Sequence, residues 1–389
     1  MHANLAHRPK PSRPQVGFTL IELMIALVIG MAAVTIMLTM LSKTDAAKRI
    51  TVGGNDAQIA GTIALFHLER EIRAAGYGIN APGVLGCTLS YTVVGKPALV
   101  PLAPVTINPP GIPAGTPSTD TLLVVYGTAS ESADGDPLAA ASANDAYQVT
   151  RVGSFRKNDI VVVQNATRSN PCTLTPSQVL RTDDATSTLV FDTSKDMPGV
   201  AGKPAGSIVY NLGELTVHVY AIRGGNLTMC DYRLSNCGDA GLKDDTSVWV
   251  PMAQNIVALR AQYGKDGSPL TSARTGVITQ YDQVIPSDAN RLNCDWARVV
   301  TLRIGLVARG AVYDKELGKT IQLNEPTWSG GPPADPDKPP LIPNPNPVPI
   351  DLDVDDNGKP DADWKQFRHK TLETTIPLRN TIWQGDTEC

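Results

Sequence analysis

The chain has 389 residues, enough for two or three domains with a sizeable buried core. Its residues are 42% hydrophobic, which excludes wholesale disorder, and its 33 glycines and 31 prolines indicate many turns rather than a helical bundle. The formal net charge of −4 gives no general attraction for nucleic acid, and five histidines leave little material for a histidine-rich metal centre.

The first segments of the chain have the pattern of a membrane anchor. Residues 1–17 contain three basic residues and no acid, and residues 18–41 form an apolar run whose only charge is Glu22. As a helix with a rise of about 1.5 Å per residue, this run is long enough to cross a hydrocarbon core of about 30 Å. The basic segment ahead of it predicts that the N-terminus stays inside and that the rest of the chain is outside.

The junction of these two segments, Gly17-Phe18-Thr19-Leu20-Ile21-Glu22, resembles the class III signal of type IV prepilins and of type II secretion pseudopilins. In those families a membrane peptidase cuts after the glycine, on the cytoplasmic side, and methylates the new N-terminal phenylalanine. The resemblance therefore implies a prepilin leader over residues 1–17, cleavage after Gly17 and N-methylation of Phe18.

Glu22 needs an explanation, because a carboxylate inside a bilayer costs a few kcal/mol and usually marks function. It could instead lie near the headgroups and be solvated. The resemblance implies an assembly role, in which Glu22 neutralises the N-terminal amine of a neighbouring subunit as that subunit joins the filament. Loss of the leader would remove three of the 34 basic residues and none of the 38 acids, which leaves 31 against 38, or −7.

Residues 42–78 are predicted to continue the helix with an amphipathic pattern. Apolar side chains recur at spacings of three and four residues and predict the face on which a globular domain packs, with a separate partner-binding helix as the alternative. They are Ile59, Ile63, Leu65, Phe66, Leu68 and Ile72. Gly76 and Gly78 are expected to end the helix, and Gly53-Gly54 predicts a kink or a melted turn within it.

Four further blocks resemble PilW-type minor pilins, in the order that this group has. They are FHLEREIRAAGYGINAPGVLGC (66–87), NIVALRAQYG (255–264), RVVTLRIGLVAR (298–309) and KTLETTIPLRN (370–380). The resemblance implies an α+β fold, with a long N-terminal hydrophobic helix, the pilin spine, packed on a large β-rich head. It also implies contacts with other minor pilins, the major pilin, the prepilin peptidase, the inner membrane and a PilY-like tip protein.

The head is predicted to span residues 79–325, with an insertion at about 95–245 that resembles no family pattern. This insertion is rich in β-branched runs bounded by Gly, Pro, Asn and Asp, which predicts strands. Within it, Gly224-Gly225-Asn226 predicts a hairpin turn, and His218 is expected at the surface or on an edge strand.

A segment with 10 prolines in 24 residues follows the head, at 326–349. Proline removes the backbone donors of helices and central strands, so an extended, semi-rigid connector is predicted, with a partner docking site as the alternative. An Asp-rich loop and a closing strand are predicted over residues 350–389.

Six cysteines follow the membrane segment and therefore lie where disulfides are permitted. Cys230 and Cys237 are close enough in sequence to bridge one loop. The other four, Cys87, Cys172, Cys294 and Cys389, leave several pairings open.

The Asp-rich loop predicts a calcium site. Asp353, Asp355, Asn357 and Asp361, with a backbone carbonyl near Lys359, place several oxygen ligands around one point. The pattern departs from an EF-hand, because the glutamate expected at the twelfth loop position is replaced by Trp364. A solvated acidic loop without an ion is the alternative.

No motif of a hydrolase, metalloprotease or nucleotide-binding enzyme is present, so no enzymatic activity is expected. The sequence predicts a minor pilin that takes part in type IV pilus assembly, in a priming or tip complex. It would be a single-pass inner-membrane protein before assembly and part of the pilus afterwards. The alternatives are a J-type pseudopilin of a type II secretion system and a ligand-binding tip module.

Overall fold

A computed structural model describes residues 17–129, 134–167, 171–315, 317, 323–330, 347–354, 359 and 363–382. The chain divides into two compact units, Met1–Thr51 and Val52–Cys389. The first contains the apolar part of a long helix, and the second contains the rest of that helix and all of the described strands. The predicted α+β architecture, with an N-terminal apolar helix and a large β-rich head, is confirmed.

The long helix α1 covers Leu20–Ala74 and is unbroken at Gly53-Gly54, so the melted turn predicted there is not found. Gly53 is buried, and a Cβ atom added to Gly310 would lie 2.4 Å from its carbonyl oxygen. The glycine at 310 therefore allows close backbone approach, and the contact supports α1 at this point. Gly76, with a φ of +83°, follows the last turn as predicted.

The strands of the head follow α1. In chain order they are β1 (Thr88–Val93), β2 (Lys96–Pro101), β3 (Val105–Ile107), β4 (Leu122–Tyr126), β5 (Asp136–Pro137), β6 (Ala146–Gln148), β7 (Ile160–Gln164), β8 (Thr173–Leu174), β9 (Ser177–Asp183), β10 (Thr188–Phe191), β11 (Ile208–Gly213), β12 (Thr216–Arg223), β13 (Asn226–Asp231), β14 (Val250–Gln254), β15 (Ile256–Asp266), β16 (Ile278–Asp282), β17 (Val299–Arg309), β18 (Thr327–Trp328), β19 (Val348–Pro349) and β20 (His369–Pro377). Two short helices, α2 (Leu292–Ala297) and α3 (Arg379–Ile382), precede β17 and follow β20, respectively.

Five sheets are formed, with strand orders β2-β1-β8, β5-β11-β7-β9-β10-β6, β14-β13-β12-β4-β3, β16-β15-β17-β20 and β18-β19. Pairing is antiparallel except between β1 and β8. The predicted hairpin is present, because Arg223 pairs with Asn226 across Gly224 and Gly225, whose φ values are +56° and +69°. Two successive positive φ values favour glycine at both positions of such a turn.

The main core lies between the second half of α1 and two sheets. Ala57, Ala64, Leu68 and Ile72 of α1 pack with residues of the β15-β17-β20 and β12-β4-β3 strands. Small residues let the helix approach closely: a Cβ atom on Gly61 would lie 2.3 Å from the side chain of Leu372 in β20. A larger residue at 61 would therefore push the helix away from the sheet.

Polar contacts link the C-terminal end of α1 to the five-stranded sheet. Nδ1 of His218 lies 3.0 Å from Oε2 of Glu71, and the hydroxyl of Tyr126 donates to the same oxygen at 3.2 Å. His218 lies in β12, between β13 and β4, and is half-buried. The prediction of a surface or edge position for His218 was wrong, because alternation along a strand does not show that a helix covers its polar face.

The middle of the chain forms a small closed barrel. The six-stranded sheet runs from β5 to β6, and its ends meet through a bridge between Leu138 and Val149 and a hydrogen bond from the Ala139 N–H to the Gln148 carbonyl. Its interior has its own core, which includes Tyr147, Phe155, Val163, Leu189 and Val209. The predicted insertion thus contains a six-stranded barrel with its own buried side chains.

The outer face of the β15-β17 pair is covered by residues from the start of the proline-rich segment and from the stretch that follows it. Trp328, Ile350, Leu352 and Trp364 pack there on Ala258 and Val307. β18 pairs with β19, so the two ends of the intervening stretch meet. Both ends of the predicted connector are thus held at one place by apolar contacts that composition does not reveal. Residues 331–346 lie outside the described structure.

Candidate functional site

The Gly17–Phe18 junction lies immediately before the first turn of α1. Gly17, Phe18 and Thr19 are outside regular secondary structure, and Leu20 is the first helical residue. Phe18 is 89% exposed, and a Cβ atom on Gly17 would meet nothing within 4 Å. The peptide bond between these residues is therefore accessible, and the fold itself has no need for a glycine at position 17.

Thr19 and Glu22 form a capping box at the start of α1. The Thr19 backbone N–H and hydroxyl both donate to Oε2 of Glu22 at 3.0 Å, and the Glu22 N–H donates to the Thr19 hydroxyl at 3.3 Å. This satisfies backbone donors that the first helical turn would otherwise leave free. The pattern T-x-x-E just before an apolar run is the sequence signal that could have predicted this cap.

Both bonds that Glu22 accepts from Thr19 end on one oxygen, Oε2. Among the contacts that the structure describes, Oε1 has no partner within the chain. A carboxylate can accept about four hydrogen bonds, so the cap leaves this group able to bind an external cation. The capping role and a charge-pairing role are therefore compatible at Glu22.

The apolar stretch of α1, Leu20–Asp45, is long and apolar enough to cross a membrane. None of its 26 residues is buried within the described structure. A helix of this length extends about 39 Å, more than the hydrocarbon core of about 30 Å. This is the stretch expected from the sequence.

The second half of α1 has two apolar faces, and the head covers one of them. Val52, Ile59, Ile63 and Phe66 share the opposite face and are 49%, 60%, 48% and 65% exposed. Their spacings of seven, four and three residues place them in one line along the helix. The prediction that Ile59, Ile63 and Phe66 pack against the head was wrong, because small residues such as Gly61 form the covered face instead. We call these four residues the outer stripe.

An acidic cluster lies at the start of the predicted calcium loop. Carboxylate oxygens of Glu325, Asp351 and Asp353 all lie within 4.8 Å of one another. Partial burial, together with the charges of Asp353 and Asp351, raises the pKa of Glu325. The indole N–H of Trp364 donates to Oδ1 of Asp353, and the Asp353 N–H donates to Oδ1 of Asp351 at 2.8 Å. Three oxygens so close together favour a bound cation chemically.

The predicted ligands are only partly within the described structure. Asp355, Asn357 and Asp361 lie outside the described residues, and Lys359 is exposed. Glu325 was missed, because it precedes the proline-rich segment and only the pairing of β18 with β19 brings it to Asp353. The positions of Glu325 and Asp353 in the sequence do not indicate that their side chains lie close together.

Two disulfides join pairs of described cysteines in the head, Cys87–Cys172 and Cys230–Cys237. The second is the bridge that the short spacing favoured, and the first was one of several open pairings. Cys294 is also disulfide-bonded, and Cys389 lies outside the described residues. The Cys87–Cys172 bond joins segments of the head that are 85 positions apart in sequence.

Comparisons with known proteins agree with the sequence motifs. Residues 224–380 match the family model for type IV pilus-assembly protein W, and residues 13–38 match the model for the prokaryotic N-terminal methylation motif. No curated protein and no solved structure matches the chain. The barrel lies between these two matched regions in the chain.

The methylation motif and the apolar helix fit a single-pass inner-membrane pilin that is later assembled into the pilus. A type IV pilus component interacts with other pilus proteins and with the membrane. The two matched regions, one at the N-terminus and one over the second half of the head, support a type IV prepilin-like protein of the PilW type, a minor pilin related to the type IV pilus.

Proposed function

We propose that this minor pilin takes part in type IV pilus assembly, in a priming or tip complex, through contacts with other minor pilins and the major pilin. The observation that carries the proposal is the outer stripe on α1, which stays exposed although the head is folded. Aligned apolar side chains that are exposed in one chain are typical of a surface that another chain covers. Helices of neighbouring subunits are the partners whose apolar faces match it.

Processing precedes assembly in this proposal. The prepilin peptidase cuts after Gly17 and methylates Phe18, which leaves an ammonium group one helical turn before Glu22. The accessible junction and the unused Oε1 of Glu22 support both steps. In the filament, Glu22 pairs with the ammonium group of a neighbouring subunit, because a buried charge is stabilised only when it finds a partner. No catalytic step by this chain is involved.

The test is the location of the protein. Pili sheared from cells and identified by mass spectrometry should contain it at low abundance beside the major pilin. A strain that lacks the protein should lose piliation or assemble fewer pili. If the protein is absent from pili and the mutant is normally piliated but defective in secretion, the J-type pseudopilin alternative replaces this proposal.

A tip module is the second candidate function, and the closed barrel favours it. The barrel has its own core and lies outside the two matched regions. In this second candidate function, the barrel acts at the pilus tip, with a PilY-like protein or with a surface ligand. Deleting the barrel should then leave pili intact but abolish adhesion, whereas a role in assembly alone predicts no change in adhesion per pilus.

Glu22→Gln should reduce incorporation into pili severely and leave membrane insertion and leader cleavage intact. Glutamine can still accept the capping hydrogen bonds from Thr19, so this variant removes only the charge. Glu22→Ala removes the charge and the cap together, and it should cost about 1 kcal/mol more in helix stability. The measurement is the ratio of protein in sheared pili to protein in membranes. Normal incorporation of Glu22→Gln would contradict the pairing with the amine.

We also propose that the acidic cluster, with the loop that follows it, binds calcium. The closeness of Glu325, Asp351 and Asp353 supports this, since the mutual repulsion of their charges is relieved by a divalent cation. Extracellular calcium sites bind at about 0.1–1 mM, so 5 mM calcium should add about 1–2 kcal/mol of stability by mass action. In a chain of this size, that corresponds to an increase in Tm of about 2 °C.

The calcium test is a melting curve of the protein in detergent, with 5 mM calcium and after removal of calcium. The increase in Tm should disappear in the double variant Asp351→Asn/Asp353→Asn. It should persist in Asp184→Asn/Asp196→Asn, which removes two acids elsewhere on the head. Equal melting curves with and without calcium in the wild type would mean that the acidic run is a solvated loop.

A further inference from the structure

A cleft of about 240 Å³ lies where β17 ends and β20 begins, beside the hairpin turn Gly224-Gly225. Two of its lining residues, Arg309 and His369, are cross-strand neighbours at that edge of the sheet. Trp364, Leu352 and Val257 supply apolar side chains. The cleft therefore combines a cationic end with an apolar wall.

Arg309 carries a charge that no described carboxylate neutralises. None of the ion pairs among the described residues includes it. Its Nε atom is buried without a hydrogen-bond partner, and its guanidinium carbon lies 4.8 Å from the centroid of the Phe367 ring. A Cβ atom on Gly225 would lie 3.0 Å from Nη2 of Arg309, so the turn and the ring hold the guanidinium between them.

His369 adds no positive charge to the cleft at neutral pH. Burial and the neighbouring Arg309 charge lower its pKa to about 4. The neutral imidazole lies edge-on to the Trp364 ring, with centroids 5.9 Å apart. The cleft thus contains a fixed guanidinium and a neutral imidazole at its polar end.

Asp351 also lines the cleft, but it is occupied by other contacts. It accepts hydrogen bonds from the Ser118 hydroxyl at 3.4 Å and from the Asp353 N–H at 2.8 Å, and it belongs to the acidic cluster. It does not lie within 4.0 Å of the Arg309 guanidinium. Its negative charge disfavours a second acidic group on a ligand.

A partly buried guanidinium that no described carboxylate pairs with is costly, and a carboxylate is the group whose geometry matches it in two parallel hydrogen bonds. We propose that this cleft binds a small monocarboxylate, whose carboxylate accepts hydrogen bonds from Arg309 and whose short apolar body lies against Trp364, Leu352 and Val257. The volume suits a molecule of a few carbon atoms, since clefts for drug-sized ligands start at about 300 Å³.

The test compares sodium butyrate with butyramide, which has nearly the same shape but no charge. Binding to the full-length protein in detergent is measured by saturation-transfer NMR in metal-free buffer, with empty micelles as the blank. Butyrate should bind saturably, with a Kd at least fivefold lower than that of butyramide. Equal Kd values for the two compounds in the wild-type protein would overturn the proposal without the need for any variant.

Variants then locate the site. Arg309→Gln should remove the preference for butyrate, and Arg309→Lys should keep only part of it, because an ammonium cannot make the paired hydrogen bonds. Arg379→Gln is the control, since it removes one exposed positive charge from α3. A preference that persists in folded Arg309→Gln would show that butyrate binds elsewhere. The result does not depend on the role in pili, because it is measured on the purified protein.

Discussion

Replacing Gly17 with tryptophan is expected to leave residues 1–17 attached and to abolish incorporation of the protein into pili. Gly17 is exposed and has open space around its Cα, so the folded protein tolerates a large side chain there. A peptidase that cleaves after glycine would not accept the indole. The mass of the protein isolated from membranes should therefore be that of the full-length chain, without N-methylation of Phe18.

Gly30→Ala is the matched control for this experiment. Gly30 lies within the apolar stretch of α1 and is not part of the cleavage motif, and a Cβ atom added to it would also meet nothing within 4 Å. The alanine variant should be cleaved and assembled like the wild type. A processed N-terminus in Gly17→Trp, or a mature N-terminus at another residue in the wild type, would contradict cleavage after Gly17.

The parts of the fold that sequence could predict depend on local patterns. The apolar stretch of α1 is visible because it lacks charge, and the strands in the head are visible as β-branched runs. The turn at Gly224-Gly225 follows from the need for positive φ. The methylation motif is a continuous stretch of residues, so the amino-acid sequence alone is enough to name the candidate cleavage site.

The parts that sequence could not predict depend on contacts between distant segments. Periodicity predicted one broad apolar face on α1 but not which part of it the head covers, because much of the covered side is built from small residues such as Ala64 and Gly61. Glu325 joins Asp353, and Leu138 closes the barrel with Val149, only through long-range pairing. Pairings between such distant residues produce no recognisable pattern in the sequence.

Of the two disulfides whose partners are both described, Cys87–Cys172 is expected to contribute more to stability. This disulfide joins residues 85 positions apart, beside the parallel pairing of β1 with β8. Cross-linking so long a loop removes entropy from the unfolded chain and is worth about 4.6 kcal/mol in the loop-closure model, against about 2.4 kcal/mol for Cys230–Cys237 with a separation of 7. Replacing Cys87 and Cys172 together with alanine should therefore lower the free energy of unfolding more than replacing Cys230 and Cys237 does.

The Cys230→Ala/Cys237→Ala variant is the matched control for Cys87→Ala/Cys172→Ala. All four cysteines are buried in the same core cluster, so the loss of packing on truncation to alanine is similar in the two variants. The difference in the free energy of unfolding, measured by urea denaturation in the same detergent, should be about 2 kcal/mol in favour of the control. That difference corresponds to a clear separation of the two unfolding midpoints. Equal losses would mean that the unfolded chain keeps residues 87 and 172 close together without the bond, because residual structure would then replace the covalent constraint.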